Sequence, residues 1–284
     1  MSEIVGGIFT SHVPGIGTAI AKGLQADPYW KPFFDGFLPV HEFLRRENPD
    51  VAVVFYNDHG LNFFLDKMPT FAIGAAGEYR HEDEGWGIGG FKPFVGHPAL
   101  SWHIIEHVVG DEFDPVTCQS MLVDHGVCVP FELCWPNTDA WPVKLVPICL
   151  NTVQHPLPSP KRCLEFGRSV GHALETWPGD EKIIVLGTGG LSHQLDGERA
   201  GFINPSYDRF CLRNIVPDPE ALTAHDTLDI VELAGSQGVE ILNWLAARGA
   251  LTGSPRELAH NYHVPISNTA AATLLVENRA RADA

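Results

Sequence analysis

The sequence is poor in positive charge. Its 284 residues include 19 Lys and Arg against 35 Asp and Glu, which is a formal net charge of −16. Nucleic acids and anionic lipid surfaces are bound mainly through clusters of Lys and Arg. The composition therefore argues against nucleic acid or a membrane surface as the main partner.

Cysteine and long apolar runs are also scarce. The six Cys are scattered without a C-x-x-C pair, in a chain long enough to fold around a core without disulfide support. No window approaches the ~18 uninterrupted apolar residues of a membrane span. The first residues lack the basic and apolar regions of an export signal. We therefore expect reduced, mostly buried thiols in a cytoplasmic protein.

Short apolar runs alternate with segments of helical periodicity, a pattern that predicts an α/β fold. We expect a single domain over residues 1–284, with a mixed, largely parallel central sheet flanked by helices. The predicted strands are Ile4–Thr10, Val51–Asn57, Pro142–Leu150 and Lys182–Gly187. The predicted helices are Trp102–Val109, Lys161–Thr176 and a stretch from Asp226 to Arg248 that breaks at residues 235–238 and restarts around Glu240. Residues 78–98 are expected to form an irregular insertion.

Histidines follow three of the four predicted strands. His12 comes after the first strand, His59 after the second and His193 after the fourth, and His125 lies in a predicted loop before the third. Functional sites of open α/β sheets form outside the carboxyl ends of the strands. We therefore expect the active site at this edge. The other ten of the 14 histidines are expected to be surface or satisfied core residues.

Imidazole and carboxylate ligands together favour Fe(II), Zn(II) or Mn(II). Two His and one carboxylate on one face of a metal ion leave open positions for a substrate and O₂. Spacing nominates His12 and His59 but leaves the carboxylate open among Asp58, Asp124, Glu232 and Glu240. A Zn(II)-dependent hydrolase with the same ligands is the alternative from another reaction class.

Two other motifs lack the context that their chemistry needs. Residues 85–90 match G-x-G-x-x-G, but no strand precedes them, which disfavours dinucleotide binding. Leu191-Ser192-His193 suggests a nucleophile elbow, but G-x-S-x-G fails at Gln194.

A series of longer motifs runs in order over almost the whole chain. The series includes Thr10-Ser11-His12-Val13-Pro14, Tyr56-Asn57-Asp58-His59, Asp83-Glu84-Gly85-Trp86-Gly87, Val123-Asp124-His125-Gly126, Gly187-Thr188-Gly189-Gly190-Leu191-Ser192-His193-Gln194-Leu195, Gly238-Val239-Glu240 and Tyr262-His263-Val264-Pro265-Ile266-Ser267-Asn268-Thr269. In these motifs the sequence resembles the class III extradiol ring-cleaving dioxygenases, the family of the protocatechuate 4,5-dioxygenase beta subunit.

The resemblance implies a role for each matching residue. It implies Fe(II) as cofactor, with His12, His59 and Glu240 as ligands, His193 as the acid/base and His125 as a second active-site histidine. Asn57 would lie beside the metal, and Ser267 and Asn268 would line the part of the pocket that holds a ring carboxylate. Asp58 and Asp124 are expected to orient neighbouring histidines.

The implied reaction inserts O₂ into a carboxylated, protocatechuate-like catechol and gives a ring-opened semialdehyde. Residues 88–92 depart from the proline-rich stretch that the family usually has there. Gallate, a methylated gallate or another catechol therefore stays open as substrate. The resemblance also implies an oligomer, and either a separate small helical alpha subunit that covers the site or an enzyme that works without one.

Overall fold

The computed structural model describes residues 2–82, 84–88 and 92–279. The strands are β1 (Glu3–Thr10), β2 (Val51–Tyr56), β3 (Phe71–Gly74), β4 (Glu78–His81), β5 (Phe94–Val95), β6 (Val116–Cys118), β7 (Leu122–Val123), β8 (Lys144–Leu150), β9 (Lys182–Thr188), β10 (Ser254–Ile266) and β11 (Thr269–Arg279). The helices are α1 (Pro14–Ala21), α2 (Lys31–Asp35), α3 (Leu38–Glu47), α4 (Pro98–Gly110), α5 (His125–Cys134), α6 (Pro160–Thr176), α7 (Pro205–Asn214), α8 (Thr227–Ala234) and α9 (Ile241–Gly249). Two 3₁₀ turns span Pro219–Ala224 and Gly238–Glu240.

Eight strands form one mixed sheet in the order β10-β11-β1-β9-β2-β8-β3-β6. Its centre, β1-β9-β2-β8, is parallel, whereas β11 pairs antiparallel with β1 and with β10. The predicted fold class and all four predicted strands are confirmed. β2 is buried along its whole length, as expected for a strand covered by helices on both faces.

The two faces of the sheet support separate cores. Val53 and Phe55 of β2 belong to one core, and Val54 and Tyr56 belong to the other, because successive strand side chains point to opposite faces. The first core contains side chains from α4, α6, α7, α8 and α9, and the second contains side chains from α1, α2, α3 and α5. The parallel strands are therefore held in register from both sides.

Two sequence predictions need correction. His125 and Gly126 begin α5 rather than lying in a loop, because the Asp124 side chain accepts the Gly126 N–H and caps the helix. Residues 78–98 are not wholly irregular: β4 pairs with both β5 and β7 in a small sheet. The hairpin β10–β11 was not predicted. Gly89 and Gly90 of the G-x-G-x-x-G stretch lie outside the described residues.

The helical predictions are otherwise confirmed. α4 begins at Pro98, earlier than predicted, because the His97 side chain caps it. α8 ends at Ala234 and is followed by Gly235, whose φ of 90° favours glycine. All six cysteines are free and five are buried. Within the described ranges, no helix combines the length and apolar character of a membrane span.

Candidate active site

The carboxyl ends of β1, β2 and β9 bring the predicted histidines together. Thr10 at the end of β1 pairs with Thr188 at the end of β9, and β2 ends beside them. A cavity of about 390 Å³ opens at this edge and is lined by His12, His59, His125, His193 and Glu240, among others. Four histidines and one carboxylate from distant parts of the sequence therefore meet in one place.

The Glu240 carboxylate lies against two of these histidines. Its Oε1 is 3.4 Å from His12 Nε2 and 3.6 Å from His59 Nε2. The 3₁₀ turn before α9 carries Glu240 into the cavity edge, where its side chain is buried. The Gly190 N–H donates to the other oxygen, Oε2, at 2.7 Å. Glu240 is thereby held with one oxygen aimed at both imidazoles.

The three competing carboxylates have other surroundings. Asp58 accepts the backbone N–H groups of residues 60–63 and so caps its own loop. Asp124 is bound to His59, and Glu232 is exposed on α8. Among the four candidates left open by spacing, Glu240 is thus the one placed against both His12 and His59.

The distances from Glu240 Oε1 to His12 Nε2 and to His59 Nε2 suit a metal ion. An ion about 2.0–2.2 Å from each of two ligands separates them by roughly 3.0–3.5 Å, close to the distances observed here. The Thr188 hydroxyl lies 3.2 Å from His12 Nδ1, and Asp124 Oδ2 lies 3.0 Å from His59 Nδ1. When each Nδ1–H donates to these oxygens, both Nε2 atoms present a lone pair to the ion. The donor set therefore fits a divalent metal.

Electrostatics support the same arrangement. Burial acts to lower the pKa of His59, but Asp124 and Glu240 outweigh it and raise that pKa well above its usual value. Burial acts to raise the pKa of Glu240, yet the positive charge of His12 and its hydrogen bond lower that pKa well below its usual range. Without a metal, Asp124 and Glu240 therefore favour a positive charge on His59, in the place where a bound cation would supply one.

His125 is the third imidazole near the same point. Ring nitrogens of His12, His59 and His125 lie within 4.8 Å of one another. Glu84 accepts both the backbone N–H and Nδ1–H of His125 at 2.8 Å. Burial and the nearby His59 lower the pKa of His125 to about 4. His125 is therefore a neutral imidazole at pH 7, with its Nε2 free to accept.

His193 lies at the opposite side of Glu240. Its Nδ1 donates to the Leu191 carbonyl at 2.8 Å, and its Nε2 lies 3.9 Å from Glu240 Oε2. In the neutral ring the proton is therefore on Nδ1, and Nε2 carries the lone pair. A residue that must take a proton from a substrate needs this tautomer.

Asn57 also reaches the ligand atoms. Its Nδ2 lies 3.1 Å from His59 Nε2 and 3.3 Å from Glu240 Oε1. Asn243 of α9 donates to Asn57 Oδ1 at 2.9 Å and so orients the amide. Asn57 is beside the candidate metal site, where the resemblance placed it.

Ser267 and Asn268 form the two-residue turn of the β10–β11 hairpin. Both have positive φ, 48° and 63°, as in the tight turns that join antiparallel strands. Both residues are exposed in this turn, but Ser267 lines the cavity and Asn268 is not one of the lining residues. Ser267 is therefore the better placed of the two for contact with a ligand.

Several supporting residues were not predicted from the sequence. Glu84, Thr188 and Asn243 hold site residues by the contacts described above, and the Trp244 indole N–H donates to the Gly189 carbonyl. Asn243 follows Glu240 by three residues, a spacing that places both on one helix face. That spacing was a usable signal, whereas Glu84 and Thr188 are paired with their histidines only through the tertiary fold.

Comparison with known proteins places the chain in a family. The family described as the catalytic LigB subunit of aromatic ring-opening dioxygenase matches residues 6–273. The chain belongs to this family, which confirms the class indicated by the motifs.

The particular relatives are dioxygenases by name. Gallate dioxygenase of Pseudomonas putida is 38% identical over 200 residues, which cover 70% of this chain and 58% of the relative. The 2,3-dihydroxyphenylpropionate/2,3-dihydroxicinnamic acid 1,2-dioxygenase of Photorhabdus laumondii is 30% identical over 75% of this chain and 64% of its own length. The enzyme of that name from Rhodococcus globerulus is 28% identical over 79% and 83%. The chain thus spans less than two thirds of the first two relatives.

A solved structure has the same fold. The uncharacterized protein JW3007 from Escherichia coli K12 superposes with a TM-score of 0.56 at 13% identity, covering 95% of this chain and 99% of that chain. At this identity the likeness establishes the architecture only.

Proposed function

We propose that this chain is a non-haem Fe(II)-dependent extradiol dioxygenase that inserts O₂ into a carboxylated catechol and yields a ring-opened semialdehyde. The observation on which the proposal rests is the approach of Glu240 Oε1 to within 3.4 and 3.6 Å of two imidazole Nε2 atoms at the edge of a cavity. Family membership supports the reaction class.

In this proposal His12, His59 and Glu240 hold the metal. Two imidazoles and one carboxylate leave several coordination positions for substrate and O₂. Bound Fe(II) would act as a Lewis acid on the catechol hydroxyls and would allow electron transfer from the ring to O₂. Asp124 and Thr188 keep the two Nδ1 atoms engaged, so that both Nε2 atoms stay directed at the metal.

The proton is handled by His193 and His125 in this account. His193 accepts a hydroxyl proton at Nε2, because its Nδ1–H is already given to the Leu191 carbonyl. Histidine is the side chain that ordinarily exchanges a proton in the neutral range, which suits it to this role. His125 remains neutral and offers Nε2 as an acceptor to a substrate or oxygen hydrogen, since its Nδ1–H is held by Glu84.

The proposed substrate is a protocatechuate-like catechol, with gallate or a methylated gallate as alternatives. Ser267 extends from the hairpin turn into the cavity wall and can donate its hydroxyl to a ring carboxylate. The similarity to an enzyme named gallate dioxygenase supports gallate as an alternative substrate.

We also propose that a small helical subunit covers the cavity. Trp86 and Leu195 both line the cavity, yet they are 55% and 57% exposed. Large exposed apolar side chains at a cavity mouth are typical of a surface that a partner covers. If the partner is required, the isolated chain will bind Fe(II) but turn over slowly, and if it is not, the isolated chain will be fully active.

The test is O₂ uptake by anaerobically prepared, Fe(II)-loaded protein on addition of protocatechuate, gallate and uncarboxylated catechol. We expect stoichiometric O₂ uptake, a yellow semialdehyde and preference for a carboxylated ring. Glu240→Gln should lose bound iron and turnover together, while Glu232→Gln, on the exposed side of α8, should keep both. Absence of O₂ uptake with every catechol, alongside hydrolytic activity of the Zn(II) form, would overturn the proposal.

His193→Ala separates chemistry from metal binding. Iron content should be unchanged, while kcat falls on the order of 10²–10⁴-fold, the usual contribution of general acid–base catalysis. Full activity of this variant would remove His193 from the mechanism.

A further inference from the structure

A buried carboxylate outside the cavity lining faces the peptide group that orients His193. Asp208, in the first turn of α7, is 1% exposed. Its Oδ1 accepts the Ser192 backbone N–H at 2.8 Å, and its Oδ2 accepts the Ser192 hydroxyl at 2.7 Å. The Tyr262 hydroxyl of β10 also donates to Oδ2 at 2.7 Å. These three donors offset the cost of burying the carboxyl group, which would be high if it had no partner.

The Ser192 N–H and the Leu191 carbonyl belong to one peptide unit. On one side this unit donates to Asp208 Oδ1, and on the other side it accepts Nδ1–H of His193 at 2.8 Å. The carboxylate and the imidazole are thus joined in series through a single planar peptide. Hydrogen bonds in series polarise one another, so a charged acceptor at the N–H makes the carbonyl a stronger acceptor.

The neighbouring peptide groups are fixed by the rest of the fold. The Leu191 N–H donates to the Ala270 carbonyl, the Ala270 N–H donates to the Ser192 carbonyl, and the His193 N–H donates to the Ala234 carbonyl, at 2.8, 3.1 and 2.8 Å. These bonds hold the backbone path between β11 and α8. The Ser192 N–H is instead directed at a side chain, the buried carboxyl group of Asp208.

We propose that Asp208 is a positioning residue for His193, acting through the Leu191–Ser192 peptide to hold the imidazole in its Nδ1–H tautomer with Nε2 directed into the cavity. In Ser-His-Asp triads a carboxylate binds the imidazole directly and sets its tautomer. Here one peptide unit stands between the two groups. The inference rests on the proposed function for its kinetic effect, but the tautomer is a property of the protein alone.

The kinetic test uses Asp208→Asn, which keeps the shape of the side chain and removes its charge. In the Fe(II)-loaded enzyme we expect kcat to fall about tenfold, below the full contribution of an acid/base residue, with KM and iron content unchanged. In a His193→Ala background the same substitution should have no further effect, because the two residues act as one unit. An equal loss in both backgrounds, an unchanged kcat, or a loss of iron would each overturn the proposal.

Two further variants guard against misfolding of Asp208→Asn. Tyr262→Phe removes one donor from Asp208 and leaves Ser192 in place, so we expect about a threefold loss of kcat that again vanishes in the His193→Ala background. Tyr207→Phe makes the matched change next to Asp208 on α7 and should leave kcat unchanged. If Tyr262→Phe and Tyr207→Phe have the same kcat, the proposal fails.

A measurement on the metal-free protein separates this inference from the proposed function. The ¹⁵N shifts of the His193 ring, assigned by comparison with His193→Ala, should indicate the Nδ1–H tautomer in the wild type and a mixture of tautomers in Asp208→Asn. The same tautomer in both proteins would overturn the proposed role of Asp208. Failure of O₂ uptake together with a clear tautomer shift would refute the dioxygenase assignment and leave the role of Asp208 supported.

Discussion

The buried carboxylate of Asp124 offers the sharpest test of how the site is held. It accepts three hydrogen bonds: Oδ2 from the His59 N–H at 2.7 Å and from His59 Nδ1 at 3.0 Å, and Oδ1 from the Gly126 N–H at 2.8 Å. Asp124 is 0% exposed. Asp124→Asn keeps the shape but leaves one oxygen for three donors, so at least one N–H must face an NH₂ group.

The cost can be worked out from those bonds. A buried donor left without an acceptor costs about 1–3 kcal/mol, and we expect the free energy of unfolding of the metal-free protein to fall by that amount. His59 also loses the partner that fixes its tautomer, and loss of such a partner weakens metal binding about 10–100-fold. Burial opposes ionisation of Asp124, but the charge on His59 holds its pKa at about 2, so the loss is present throughout the neutral range.

The assay is anaerobic Fe(II) titration together with urea unfolding. Asp226→Asn is the matched control, since Asp226 caps α8 and accepts the Asp229 N–H, and Asn is an equally good cap. The control should change neither quantity measurably. Unchanged Fe(II) affinity in Asp124→Asn would refute the idea that Asp124 orients His59.

Three other predictions concern packing, pH and substrate. A Cβ added at Gly167 would lie 1.9 Å from the Ala246 carbonyl oxygen, so Gly167→Ala should separate α6 from α9 and lower the unfolding free energy by about 1–3 kcal/mol. Gly110 has open space around it, so Gly110→Ala should leave the unfolding free energy unchanged. Thermal unfolding of both variants checks this prediction. Hydrogen bonds from His97 and Trp177 hold the pKa of Glu181 at about 2, so this carboxylate stabilises the fold above its unfolded pKa of 4.5 and loses that effect as the pH falls towards 2. In urea titrations Glu181→Gln should therefore be less stable than wild type by up to about 1 kcal/mol at pH 7 and equally stable near pH 2; a gap that persists at low pH would contradict this. Ser267→Ala should raise KM for a carboxylated catechol and not for catechol itself, and an equal KM change for both would show that Ser267 does not meet the carboxylate.

The centre of the sheet was predictable because each of its strands is buried on both faces. Runs such as residues 51–56 have little polar character, and such runs followed by polar turns indicate parallel strands. The histidines after those strands then followed from topology, since parallel strands end at one edge.

Other elements gave weaker signals. β10 includes Pro255 and Pro265 and several polar residues, and it lies at the edge of the sheet, where no face needs a continuous apolar pattern. α5 is almost entirely buried and contains Pro130, so its amphipathic period is hidden. In the sequence, only the capping residue Asp124 indicates this helix, and an Asp before a glycine is equally compatible with a loop.

The choice among carboxylates needed three-dimensional information. Sequence spacing does not distinguish Glu240 from Asp58, Asp124 and Glu232 as the metal ligand. In the sequence, only the family resemblance favours Glu240. Only the fold places Glu240 against the Nε2 atoms of His12 and His59. It places Asp124 against Nδ1 of His59, and Asp58 against the backbone of its own loop. Contacts such as Asp208 with the Ser192 amide join residues far apart in sequence and have no local signature.

The most direct measurement is a crystal structure of anaerobically Fe(II)-loaded protein, with anomalous scattering recorded at the iron edge. The account predicts one iron peak about 2.0–2.3 Å from His12 Nε2, His59 Nε2 and a Glu240 oxygen, with the cavity side of the ion open. An iron bound by His125 in place of Glu240, or no iron at this edge of the sheet, would contradict it.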